Sequence, residues 1–299
     1  MPTPPATGTA TATTPHSVAV VIPIYRGTPT PLEAISLVQC CVLLGRHPLV
    51  LACAESLDPV PYLQLCAQHG ITPTVERLES HSFASITSYN KLLLDSCFYQ
   101  RFIRYSYILI YQLDAFVFQD TLAHWCQQGY DYIGAPWFEE YDASTEADPM
   151  QQSGGNGGLS LRRVEAFLEV LTPPYPYARV KSWDDMWRKY QDMSLVGKAF
   201  RYYRLLVRYR RKSNLYGNFL AQPKMFEDEF FSKVVPRIFP RFKVAPSAVG
   251  MWFAFESQPR RMFGLTKQQL PFGCHAWERY DIDFWRPFIE AFGHAIPTR

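Results

Sequence analysis

The chain has no CxxC pair, no apolar run long enough to cross a bilayer and almost no excess of charge, and each absence removes a class of protein. Its seven cysteines, Cys40 and Cys41 adjacent among them, follow no disulfide-framework spacing. An odd, scattered set of this kind points to reduced, mostly buried thiols in a cytosolic-type compartment. The lack of a long apolar run argues against a spanning helix. A formal net charge of only +3 over 299 residues carries no nucleic-acid signature, and no nucleic-acid partner is expected. The opening stretch MPTPPATGTATATTPHS lacks the basic and apolar regions of a signal peptide and reads as a disordered Pro/Thr/Ala leader over residues 1–17. A cytoplasmic location follows as the expectation. What the chain does have is apolar residues, 47% of the total with 15% aromatic, enough for the core of one domain over residues 18–299.

Order begins at Val18. VAVVIPIY (Val18–Tyr25) is a continuous apolar strand, and LEAISLVQCCVLLG (Leu32–Gly45) has helical spacing with a glycine stop. PLVLACAES, VPYLQLCAQHG and TPTVERL repeat the alternation as strand, helix and strand. SITSYNKLLLDSCFYQRF (Ser85–Phe102) reads as one helix leading into the strand that opens YILIYQLDAFVFQD (Tyr107–Asp120). Strands alternating with helices imply an α/β fold with a mainly parallel sheet. Ligands in such sheets bind beyond the carboxyl ends of the strands. Asp114 follows a buried strand, so its carboxylate either faces that cleft or has a hidden partner. YDYIGAPWF (Tyr130–Phe138) is a further strand ending in a turn, followed by the acidic loop EEYDASTEADPMQQS. GGNGGLSLRRVEAFLEVL then combines four glycines with an apolar run that reads as helical over Ser160–Leu171, while an antiparallel element is expected after Gly158. The glycines admit backbone conformations closed to other residues and close approach by a ligand. The segment lacks both the Gly-Lys-Ser/Thr of a P-loop and the order GxGxxG.

The order of these motifs resembles nucleotide-sugar glycosyltransferases of the GT-A fold, and more narrowly a bacterial-type family of unknown function that carries QxDA, GAPW and GNGGLSLR. The resemblance spans about Val18 to Arg279. It implies a GT-A-like, Rossmann-like mixed sheet, mainly parallel and flanked by helices. QLDA (Gln112–Ala115) resembles the DxD metal motif, but Gln112 stands where a first carboxylate is expected. A divalent cation, Mn²⁺ or Mg²⁺, would then rest on Asp114, on His275 of PFGCHAW, and on water and the donor diphosphate. GNGGLSLR resembles the acceptor-side turn, which implies substrate contacts at Asn156, Gly157 and Gly158. MFEDEFF resembles the acidic catalytic segment, which implies Asp228 as general base with Glu227 orienting the acceptor. Spacing alone does not choose between the two, and helix-dipole compensation accounts for either.

The remaining candidates each carry two readings. Tyr25 and Arg26, just after the first strand, either meet the nucleotide or form a plain loop. Glu55 after the second strand either reaches base or ribose or caps a helix, and Asn90 and Lys91 of SYNK either bind nucleotide or belong to a solvated helix face. Trp137 is either a sugar platform or core. GKAFRYYRLLVRYRRKSN (197–214), inside a basic helical insertion near 181–216, is either a surface helix whose arginines offset the acidic loop or a face for an anionic surface or acceptor. The expected partners are a nucleoside-diphosphate sugar as donor and a glycan or other hydroxyl acceptor. The alternative is a non-catalytic nucleotide- or carbohydrate-binding domain with a degenerate site.

Overall fold

The structure, a computed structural model, describes residues 17–139, 148–173, 193–221 and 225–297. Residues 1–16 of the expected leader, 140–147 of the acidic loop and 181–192 of the expected insertion lie outside the described residues.

The alternation read from the sequence is present from its start. Strands β1 (Val18–Ile24), β2 (Leu49–Ala54) and β3 (Thr74–Leu78) are separated by helices α1 (Pro31–Leu44) and α2 (Val60–Gln68). Helix α1 starts where it does because Thr30 and Glu33 close a capping box, the Thr30 hydroxyl accepting from the Glu33 N–H and the Glu33 carboxylate from the Thr30 N–H. The single helix expected over Ser85–Phe102 is instead two, α3 (Ile86–Leu93) and α4 (Ser96–Gln100). Between them Asp95 takes an extended conformation and accepts a hydrogen bond from the Cys97 N–H, so the chain restarts at a new cap. The segment expected to be helical from Ser160 also divides. Leu159–Arg163 is strand β7, and only Val164–Leu171 is helix.

The main sheet has six strands in the order β3-β2-β1-β4-β7-β6, with β4 at Tyr107–Tyr111 and β6 at Tyr132–Gly134. β3, β2, β1 and β4 run parallel, and β7 runs antiparallel to both its neighbours. The mixed, mainly parallel sheet flanked by helices is therefore as expected, with its antiparallel element after Gly158. Both faces are buried, which is why the central strands read as unbroken apolar runs. Val20, Ile22, Leu51 and Leu109 pack on α1 and α2, whereas Val21, Ala52, Ile108 and Ile110 pack on the opposite side with Phe98, Phe167, Phe230 and Phe231.

A second, three-stranded sheet joins β5 (Phe116–Val117), β9 (Gly273–Cys274) and β8 (Ala254–Phe255) over its own cluster of Trp277, Phe284 and Trp285. The chain order reverses between β1 and β4, so their carboxyl ends flank a switch point of the kind at which ligands bind. All seven cysteines are free, six of them buried. Among the described residues no helix is long and apolar enough to cross a membrane.

Candidate active site

Register in the small sheet assembles one half of the site. Phe116 pairs with Cys274 in antiparallel fashion, and Phe255 pairs with Cys274 in parallel fashion. The residue two before β5, the residue just after β9 and the residue just after β8 lie together at one end of this sheet. Asp114, His275 and Glu256 hold these places. His275 Nε2 lies 3.1 Å from Asp114 Oδ1 and 3.2 Å from Gln112 Oε1, and Nδ1 lies 2.9 Å from Glu256 Oε1. The imidazole ring is packed against the backbone of Gly158, where a Cβ would run into it. Gln112 is fixed from the same place, its N–H donating to the Gly158 carbonyl at 2.9 Å.

Burial works against charge at this corner, but the carboxylates outweigh it. Asp114 and Glu256 raise His275 to about 10. Burial likewise opposes ionisation of Asp114, yet the His275 imidazolium and Arg279 hold it below the usual carboxylate range. Asp114 Oδ1 is buried and accepts no hydrogen bond of acceptable geometry. A carboxylate oxygen and an amide oxygen thus both lie against one imidazole nitrogen. A carboxylate behind the far ring nitrogen fixes the ring, as in metal-ligating histidines. This donor set fits a divalent cation, which Nε2 would bind only after losing its proton. Among the described residues no group of three His, Cys, Asp or Glu side chains is set to hold a metal.

The other half lies against Gly157. Arg162, on β7, is fully buried and holds Glu227 through two hydrogen bonds, Nη2 to Oε1 at 2.8 Å and Nη1 to Oε2 at 3.1 Å. Its remaining N–H groups donate to the Tyr99 hydroxyl at 2.9 Å, to Ser160 Oγ at 2.9 Å and to the Gly157 carbonyl at 3.2 Å. All the donors of the guanidinium are thereby used. The N–H of the same Gly157 donates to Asp228 Oδ2 at 3.2 Å, and the Glu229 N–H donates to Oδ1 at 2.8 Å. A Cβ on Gly157 would collide with Glu227 Oε1. Burial first, and then the charge of Glu227, push Asp228 up to about 7. The segment bearing these acids opens as one helical turn, Glu227–Glu229, and widens into a π turn over Phe230–Val234. Pro236 contributes by bringing no N–H to the ladder, and turns of this kind recur at functional sites. Phe230 and Phe231 are buried, as the sequence pattern requires.

Adjacent glycines thus carry two chemically different corners. Gly158 backs the Asp114–His275 pair and Gly157 backs Asp228. The glycines were expected to admit unusual backbone conformations or a ligand. Of the four, only Gly154 has a positive φ, +115°, and the neighbours that Gly157 and Gly158 admit are the protein's own Glu227 and His275. Asn156 Oδ1 closes the turn by accepting from the Gly158 N–H at 2.6 Å.

Other expected residues are placed differently. Both ends of the Asn90 amide are engaged, Oδ1 by the Glu227 N–H and Nδ2 by the Met225 carbonyl at 3.2 Å, so Asn90 clamps the acidic segment. Lys91 and Glu55 are exposed. Trp137 is 4% exposed, with Gly154 against its ring and the Lys233 ammonium 5.2 Å over it. No ring face is open as a platform for a sugar. Tyr25 and Arg26 do stand at the carboxyl end of β1, where Arg26 donates to the Tyr25 hydroxyl at 3.0 Å and that hydroxyl donates to Glu33 at 3.1 Å. They line a cavity of about 400 Å³ with Glu278, Ile282 and Pro297. Asp120 is engaged by Arg46 and His47. Sequence reading missed Arg162 and Glu256. A signal existed for both: Glu256 closes the apolar run MWFAF as Asp114 closes YILIYQL, and a strand reading of LSLRR puts Ser160 and Arg162 on one face.

The fold is that of an α/β protein whose candidate site residues gather beside a sheet switch point. The chain belongs to the family described as "Protein of unknown function (DUF5672)", which it matches over residues 72–275, from before β3 to His275 itself. No curated protein matches. Solved structures with partial likeness include galactosyltransferase LgtC in complex with donor and acceptor sugar analogs, at 12% identity and a TM-score of 0.46, covering 94% of this chain and 97% of that one. A glycosyltransferase involved in the glycosylation of the major capsid of PBCV-1 has 12% identity and a TM-score of 0.40, covering 93% and 100%. Mouse xyloside xylosyltransferase 1 has 14% identity and a TM-score of 0.36, covering 59% and 76%. At these scores the likenesses decide nothing about chemistry, which rests on the site's own residues.

Proposed function

We propose that this protein is a GT-A-type glycosyltransferase that moves a sugar from a nucleoside diphosphate to a hydroxyl acceptor. The observation that carries the reading is the pairing, across Gly157 and Gly158, of a cation-type donor set with a half-buried carboxylate raised to about 7. Breaking the anomeric bond leaves negative charge on the departing diphosphate, and that charge needs stabilisation. Gln112, Asp114 and His275 would hold a divalent cation there, and the cation would supply electrostatic stabilisation of the diphosphate. Asp228 is the general base: it takes the acceptor's proton, and a base working near neutral pH is most effective when its own pKa lies close to 7. Glu227, first read as orienting the acceptor, has both oxygens held by Arg162, so its part is to fix the turn and raise its neighbour. The cavity beside Tyr25 and Arg26 is the proposed place of the nucleotide base.

A domain that only bound sugars or nucleotides would have no use for a carboxylate whose ionisation is made this costly. The test is a screen of nucleoside-diphosphate sugars by thermal shift with and without Mn²⁺, followed by product detection with the donor that binds. Stabilisation by one nucleotide together with sugar release is expected. Binding without any transfer or hydrolysis, in wild type and Asp228→Asn alike, would leave the binding-only alternative standing.

A further inference from the structure

We propose that the helix Leu195–Ala221 docks this protein on anionic lipid bilayers through a stripe in its first half. Between Leu195 and Ala221 the chain has seven Lys or Arg residues and no Asp or Glu, whereas the whole protein has a formal charge of only +3. Val196, Phe200, Tyr203 and Val207 recur at i, i+4, i+7 and i+11, the spacing of one helical face. In a soluble helix such a stripe faces the core. Here the four are 79%, 60%, 63% and 46% exposed.

The helix is anchored by its other face. Lys198 and Tyr216 are both buried, and at 3.6 residues per turn positions this far apart fall on the same side. Tyr216 packs on Phe230 and Phe239, and Phe219 stacks on Phe230 at 4.9 Å. The apolar stripe lies on the opposite side, about 170° round from Lys198 and Tyr216. Arg204 is exposed beside it, its guanidinium 5.9 Å from the Phe200 ring, and Arg201 is exposed between the stripe and the anchored face. The side chains of Arg208, Arg210, Arg211 and Lys212 lie outside the described residues.

Aromatic and aliphatic groups on one face, flanked by arginine, are what an interfacial helix offers to headgroups and the acyl boundary. Clusters of basic residues on such a helix attract anionic lipid. A second copy of this helix is disfavoured as occupant, because seven like charges would meet seven more. A soluble polyanion would satisfy the arginines and leave the stripe in water.

The test is co-sedimentation of the full chain with vesicles of phosphatidylcholine alone and of phosphatidylcholine with phosphatidylglycerol, at low and high salt. Binding is expected to the anionic vesicles, weakened by salt, and weakened tenfold or more by Arg201→Glu with Arg204→Glu and again by Phe200→Ser. Thermal unfolding of each variant, unchanged from wild type, shows that the body is intact. Three results would overturn the proposal: no binding to anionic vesicles, equal binding to both kinds, or full binding by Phe200→Ser, which would mean a purely electrostatic surface. Self-association of wild type abolished by Phe200→Ser would assign the stripe to a second copy and overturn it as well. None of these readouts depends on glycosyl transfer.

Discussion

Asp114 and Asp228 stand on either side of the same two glycines and titrate in opposite directions. Asp114 faces an imidazolium and a nearby arginine, which outweigh its burial. Asp228 has two backbone N–H donors, but it is half-buried next to Glu227, and desolvation together with that charge wins. Paired groups whose surroundings drive their pKa values apart mark a division of labour: one stays charged, the other exchanges a proton. The difference lies in the counter-charges: His275 and Arg279 act on Asp114, and no cation acts in the same way on Asp228. The Arg162 guanidinium is spent on Glu227 and on the Gly157 carbonyl, so it fixes the turn under Asp228 without itself reaching the Asp228 carboxylate.

The division of labour is broken most directly by removing each charge in turn. Asp228→Asn is expected to lower turnover by ~10²–10⁴-fold with nucleotide affinity near wild type, as for loss of a positioned base. Asp114→Asn is expected to do the reverse, abolishing the metal dependence of nucleotide binding measured by calorimetry. Identical effects of the two substitutions on binding and turnover would erase the distinction. Full activity in Asp228→Asn together with Glu227→Gln would point to a retaining reaction that needs no such base.

A slightly smaller effect is expected on stability from Arg162→Met, about 3–5 kcal/mol, because it leaves the Glu227 carboxylate buried without its counter-charge. Denaturant unfolding reads it. The double variant with Glu227→Leu should recover much of the loss. A double variant as unstable as the single one would mean that Arg162 acts through Gly157 and Tyr99, not through the ion pair.

The third effect has a sign that separates the two aspartates. Asp228 has a folded-state pKa of about 7, well above its ordinary value of 3.8. The cost of ionising it in the folded protein is absent below pH ~4, grows between ~4 and ~7 and is complete above that. Asp228→Asn removes the cost. The variant should therefore be more stable than wild type at pH 8, by a few kcal/mol at most, with no gain at pH 4. Asp114, held low by its neighbours, predicts no such gain for Asp114→Asn. Thermal melts of both variants across this range are sufficient. A stabilised Asp114→Asn and an unaffected Asp228→Asn would reverse the comparison.

Much of the Asp114 corner was legible in the sequence, because its signals are local. A carboxylate after an apolar strand and a histidine after Gly-Cys stand out against buried surroundings, and the sheet rule says where strand ends gather. The Arg162 corner was not legible for two reasons. Ser160–Leu171 has apolar residues that satisfy a helix as well as a strand, and the helical reading hides the face that Ser160 shares with Arg162. The Glu227–Arg162 pair also joins residues 65 apart in sequence, which no local pattern records. Trp137 was open to either reading for the converse reason: a tryptophan after a Gly-Ala-Pro turn is compatible with a platform, and only the packing of Gly154 and Lys233 on its ring closes it.

Asn90 and Lys91 give the smallest effect and the sharpest contrast between neighbours. The sequence offered both as nucleotide ligands. On α3, Lys91 points to solvent, and replacing it by alanine should change stability by less than about 0.5 kcal/mol. Asn90 points to the acidic segment, whose first turn has no side-chain cap of its own. From another helix it accepts from the Glu227 N–H and donates to the Met225 carbonyl, acting as a cap supplied in trans. Removing a cap costs about 0.5–2 kcal/mol, so Asn90→Ala should lower stability by about 1 kcal/mol. It should also lower turnover, because the peptide it holds is the one that carries Asp228. Nucleotide affinity should be unchanged, since Asn90 is buried and both ends of its amide hold the acidic segment. A variant of full stability with weakened nucleotide binding would return Asn90 to the donor site and leave the segment at Glu227 held by Arg162 alone.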